Sequence, residues 1–159
     1  MPVKILDIHD KVDNGEVFFV SHTFESVGNN DSVYIRHVTG SEHLHSTLSL
    51  NTVGQWKFES FVDSTYSVDG TILEAINRKS DSTETFKSIF YHTPTITVEG
   101  TPRLVYTFGA GTNPSRSDTS QMNDKLESIF KPSADVLIKL TNQSGGTQYL
   151  SAIFNVYEE

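Results

Sequence analysis

Apolar residues in this chain recur with a period of two. In one extended segment Leu44, Leu48 and Leu50 fall on one face, while His43, His45, Thr47 and Ser49 fall on the other. The same alternation runs through Val33-Tyr34-Ile35-Arg36-His37-Val38, from Trp56 and Phe58 to Phe61, and through residues 136–141 and 148–157. Successive side chains of a strand point to opposite faces, so this pattern describes strands with one buried and one wetted face. A strand of that kind cannot bury its apolar side alone. Two sheets packed face to face satisfy many such strands at once. Residues 16–24, rich in Val and Phe, read as a further strand.

Composition agrees with the periodicity. The 159 residues include 17 Thr, 19 Ser and 14 Val against 4 Ala, a usage that suits pleated surfaces and disfavours helical bundles and coiled coils. No apolar run approaches the roughly 20 residues of a membrane-spanning helix. Residues 15–159 are long enough for one core, and turn signals recur roughly every 8–12 residues. The expected fold is all-β, a jelly-roll-like antiparallel β-sandwich of about eight strands. Residues 1–14 read as an N-terminal arm or a first edge strand, and a flexible loop is expected near 109–123, where Gly, Ser and Asn prevail.

Local signals refine this outline. Gly28-Asn29-Asn30-Asp31 reads as a turn. Val68-Asp69-Gly70-Thr71 and Val98-Glu99-Gly100-Thr101 repeat an acidic-Gly motif thirty residues apart, and both predict chain reversals. Pro94 places its strand at an edge or at a strand start. Met122, Leu126 and Ile129 fit a short helix as well as a strand. Residues 136–141, a turn at 142–146 and residues 148–157 predict a hairpin.

The chemistry of the chain is defined mostly by what it lacks. Twelve Lys+Arg against 20 Asp+Glu give a net charge of −8, with the basic residues scattered. Nucleic-acid binding needs a basic footprint, and none is visible. The absence of cysteine removes disulfides, thiolate chemistry and Cys-based zinc sites. The first residues carry no long apolar stretch of the signal-peptide kind, which predicts synthesis and use without Sec export. Asn30-Asp31-Ser32 and Asn142-Gln143-Ser144 match the glycosylation sequon, which has meaning only on a secretory route.

His43-x-His45 is the most enzyme-like feature, because i and i+2 imidazoles on a strand share a face and can meet one metal. With Gly40 before it, the segment is similar to the cupin metal motif. The glutamate that should follow is replaced by Ser49 and Leu50, and the second cupin motif is missing, so surface histidines are expected. His9, His22, His37 and His92 are dispersed and read as core or strand-face histidines bonded to carbonyls. No Gly-x-Ser-x-Gly elbow, phosphate loop or calcium loop appears; Gly109-Ala110-Gly111 lacks the residues that should follow, and Asp63, Asp69 and Asp81 read as solvated turn residues. Trp56 alternates with Phe58 and is expected in the core. No catalytic residue, metal ligand or cofactor site is therefore expected, and the chain reads as non-enzymatic.

Several segments together carry a resemblance. Tyr34-Ile35-Arg36-His37-Val38-Thr39-Gly40, Asn77-Arg78, Tyr91-His92-Thr93-Pro94-Thr95, Gly100-Thr101, and Lys131-Pro132 through Leu137-Ile138 to Thr141-Asn142 occur in this order. In strand and turn order over residues 30–157 the chain resembles the small β-sandwich decoration, or cement, proteins of tailed bacteriophages. The resemblance implies a virion structural protein, commonly a homotrimer, that sits on the outer capsid surface. Its partners would be the major capsid protein and further copies of itself, with no nucleic acid and no membrane, and assembly would take place in the host bacterial cytoplasm. The alternative expectation is a carbohydrate- or receptor-binding module of a phage head or tail fibre, which an exposed aromatic strip would support.

Overall fold

Alternating strands with one apolar face leave the chain a single economical arrangement, and the computed structural model of the protein, which describes residues 8–109, 119–123 and 127–159, adopts it. A short helix, α1 (Ile8–Asp13), precedes fourteen strands among the described residues: β1 (Phe18–Val27), β2 (Ser32–Val38), β3 (Leu44–Val53), β4 (Trp56–Val62), β5 (Thr65–Val68), β6 (Thr71–Leu73), β7 (Ile76–Asn77), β8 (Ile89–His92), β9 (Thr95–Val98), β10 (Thr101–Phe108), β11 (Thr119–Asn123), β12 (Ser128–Phe130), β13 (Asp135–Asn142) and β14 (Gln148–Glu158). The first sheet runs β11-β3-β14-β1-β7, with β12 also pairing β3. The second runs β10-β4-β13-β2-β8-β6, and β5 and β9 form a separate ribbon. All pairings are antiparallel.

The expected all-β sandwich is present. Its strands outnumber the expected eight because the chain makes several short excursions between the long ones. The period-two residues form the core as the alternation requires: Leu44, Leu48 and Leu50 from β3 meet Trp56 and Phe58 from β4, with Ile35, Leu140, Leu150 and Phe154 among them. Trp56 is fully buried and its Nε1 donates to the Val53 carbonyl at 3.1 Å. Each large side chain enclosed in this way contributes about 1.5–3 kcal/mol relative to exposure.

Three expectations are corrected and one open alternative is resolved. Of residues 1–14, residues 1–7 lie outside the described residues, and residues 8–13 form a helical turn in place of an edge strand, closed by Gly15 at φ 75° and pinned by Lys11, which is buried against Glu159 (2.9 Å) and lies over the Tyr157 ring. Within the expected loop, Thr119–Asn123 pairs with β3 as β11; residues 110–118 lie outside the described residues. Of the ambiguous helix-or-strand residues, Met122 and Ile129 are in strands, and Leu126 lies outside the described residues. Finally, β13 and β14 do not form a hairpin. β13 sits between β2 and β4 in the second sheet, while β14 sits between β1 and β3 in the first. The turn between them carries the chain across the core. Buried Asn142 holds it, donating from Nδ2 to the carbonyls of Val27 (2.8 Å) and Gly146 (2.7 Å) and accepting from Ser144 N at Oδ1.

The two acidic-Gly motifs have equivalent places. The chain leaves the second sheet after β4, forms ribbon strand β5, turns at Gly70 and re-enters the sheet as β6. It leaves again after β8, forms β9, turns at Gly100 and re-enters as β10. Gly100 has φ 88°, and a Cβ there would lie 2.2 Å from the Val62 carbonyl oxygen, so both conformation and space demand glycine. Pro94 stands immediately before β9, at a strand start. The ribbon lies over Phe61 and Leu137, which oppose each other in register and point away from the core, yet are only 5% and 0% exposed.

Candidate interaction surface

The outer faces of the two sheets differ in chemistry. On the second sheet, strand alternation turns Arg36, Lys57, Glu59, Asp135 and Lys139 outward, where they form ion pairs. Arg36 is the centre of this face. Its Nε and one terminal nitrogen grip Asp135 at 3.0 and 2.7 Å, and the other terminal nitrogen reaches Asp69 of the first acidic-Gly turn at 2.6 Å. Its guanidinium lies 4.0 Å from the Tyr66 ring centroid. The hydrogen bonds it donates to Asp135, above all, hold the guanidinium pKa above its ordinary value. Arg36 therefore fastens the ribbon to the sheet, with Lys139 and Glu99 (2.6 Å) making a second attachment. Asp69 is the exposed turn residue that the sequence suggests, and this contact adds a tie to the sheet.

The three central rows of the first sheet's outer face contain no charged residue, although the Arg78 guanidinium reaches over Phe19 at one end. Register places Phe19, Asn155 and Thr47 in one row across β1, β14 and β3; Ser21, Ile153 and Ser49 in the next; and Thr23, Ser151 and Asn51 in a third. Thr23 and Ser151 share a hydrogen bond of 2.8 Å across the strands. Phe19 and Ile153 stand exposed among short hydroxyl and amide side chains, with Ile76 exposed beside Phe19 and Arg78 over the Phe19 ring. In a chain of net charge −8 this neutral face is a local exception. Its residues come from three segments far apart in sequence, and only the strand pairing brings them together.

The histidines singled out by sequence do not assemble. His43 is exposed just before β3, where its backbone pairs with that of Glu159. His45 lies outward on β3, as alternation predicts, and stacks on Tyr157 with centroids 4.4 Å apart; its Nδ1 is 3.2 Å from Glu127 Oε1 but is not aligned for a hydrogen bond. Burial, followed by the Glu127 carboxylate, raises the Tyr157 phenol above its ordinary range. Among the described residues no group of three His, Cys, Asp or Glu side chains is placed to hold a metal ion. His22 of β1 and His92 of β8 stack across the sandwich at 3.9 Å, and burial, then the charge of His92, lowers the His22 pKa. His37 is enclosed between Phe90 and Phe130, and its Nδ1 lacks the carbonyl partner expected of a core histidine.

Of the neutral face, the sequence marked only Thr47 and Ser49 as wetted strand positions. Sequence reasoning missed the Arg36 cluster, whose partners are 33 and 99 residues away. No family model matches the chain, and neither the curated proteins nor the solved structures searched contain a match.

Proposed function

We propose that the chain is a non-enzymatic structural protein that decorates and stabilises the outer surface of a tailed-phage capsid, docking through the neutral face of the first sheet. The reading joins the framework resemblance over residues 30–157 to one observation, the three uncharged rows around Ile153. Docking a charged face onto protein strips water from ions, at a cost of several kcal/mol per ion when they find no partners. Short Ser, Thr and Asn side chains avoid that cost and lose little rotamer freedom. The cores of protein interfaces are depleted of charged residues in the same way. Phe19 and Ile153 supply apolar anchors within the face. Arrayed as a trimer at local symmetry axes, several copies of a weak contact would add through multivalency and tie neighbouring capsomers together.

The test is to incubate the protein with undecorated tailed-phage heads and to image them. Added density at defined lattice positions and a gain in capsid thermal stability are expected. Ile153→Lys is expected to weaken attachment at least about tenfold by burying a charge, whereas Lys57→Gln on the opposite face changes it little. Heads that stay bare, or attachment indifferent to Ile153→Lys, would overturn the reading.

A further inference from the structure

The inner faces of the two sheets do not close on each other everywhere. Between β3, β12 and β14 on one side and β2, β4, β10 and β13 on the other lies a cavity of about 310 Å3. That is within the size range of small-molecule sites, ~300–1,000 Å3. Its mouth is at edge strand β10. Leu104 stands opposite Ser60, lines the cavity and is 52% exposed.

The lining is graded. At one end are Arg103 and His37, which share a neighbour: the guanidinium lies 5.1 Å from the Phe130 ring centroid and the imidazole 4.5 Å from it. Arg103 is aimed here by the irregularity in β10, where register passes from Pro102 opposite Phe61 to Leu104 opposite Ser60 and leaves Arg103 unopposed. Among the described residues no carboxylate forms an ion pair with it. His37 is 1% exposed, and its Nδ1 is a buried polar atom without a hydrogen-bond partner. Ser46, Ser60 and Ser128 add hydroxyls to the lining, while Leu48, Phe58 and Phe154 give it apolar walls.

One cation and several hydroxyls beside apolar walls, with no acidic residue among the described residues of the lining, fit a single negative charge on an apolar body. A dianion such as phosphate would need more positive charge than Arg103 supplies. The geometry points to a binding site for a small monocarboxylate, its carboxylate held by Arg103 and its hydrocarbon against Leu48, Phe58 and Phe154. The cavity is internal and separate from the outer face of the first sheet, so ligand binding and surface docking can fail independently.

Calorimetric titration of the full chain with octanoate, 1-octanol and inorganic phosphate tests the site. Octanoate is expected to bind saturably with one-to-one stoichiometry and phosphate not to bind. Arg103→Gln is expected to weaken octanoate about tenfold or more while changing octanol less than about twofold. Leu104→Trp, which narrows the mouth, is expected to weaken both. Both positions are exposed, and a thermal melt of each variant verifies folding. Absence of saturable octanoate binding, equal phosphate binding, or octanoate affinity unchanged in folded Arg103→Gln would each overturn the proposal.

Discussion

His37 shows how much one side chain can add to the energetics of a sandwich. Alternation sends it inward from β2, and there burial, then the nearby Arg103 charge, pushes its pKa down to about 3. In the unfolded chain an imidazole titrates near 6.5. Below that pH the unfolded chain takes up a proton that the folded chain refuses, so stability falls as pH falls, by about 1.4 kcal/mol per pH unit. From pH 6.5 to 5 the expected loss is about 2 kcal/mol, in a window above the titration of ordinary carboxylates. His22, whose pKa is also lowered, contributes in the same direction. Thermal melts of the wild type and of His37→Leu check this: the variant is expected to lose most of the slope, and an unchanged slope would place its origin elsewhere. That His37 lies in a strand was legible in the sequence, as a core or a strand-face histidine. That its Nδ1 finds no partner was not, since this depends on Phe90 and Phe130, residues from other strands.

Strands and turns were legible to different degrees. The strands themselves followed from period two, because one face must be buried whatever the neighbours are. Which strands pair did not follow. A polar turn between two alternating strands looks the same whether the chain folds back in its own sheet or crosses to the opposite one, and the turn at Asn142 crosses. The recurrence of Asp69-Gly70 and Glu99-Gly100 was visible as a repeat, while its meaning, two matching excursions that build a ribbon over the second sheet, required the pairing of β5 with β9. The ribbon depends unequally on its attachments. Asp69 is exposed, so Asp69→Ala is expected to cost under about 1 kcal/mol. Asp135 accepts two hydrogen bonds from the largely buried Arg36, and Asp135→Ala is expected to cost about 2–3 kcal/mol. Hydrogen exchange in residues 65–68 and 95–98 should quicken far more in the second variant; equal protection in both would mean that the ribbon is held by other contacts.

At the scale of the whole molecule, the neutral face and the cavity are products of topology. Ser21, Ser49 and Ile153 are unremarkable as single residues, and they become a surface only when β1, β3 and β14 lie side by side. The fold class could be read from spacing and composition because it reflects what every strand needs. The sites could not, because they reflect which strands meet. β13 and β14 follow every other described strand in sequence, yet each occupies the middle of its sheet, β13 between β2 and β4 and β14 between β1 and β3. A chain ending at residue 134 is therefore expected to show no cooperative thermal transition, and a retained transition would contradict the assigned strand order. During synthesis, β1 to β4 emerge from the ribosome as halves of two sheets whose centre strands have yet to be translated. Until then their unpaired edges are open to neighbouring chains. The time between translating β4 and β13 is thus the interval in which the nascent protein most needs a chaperone.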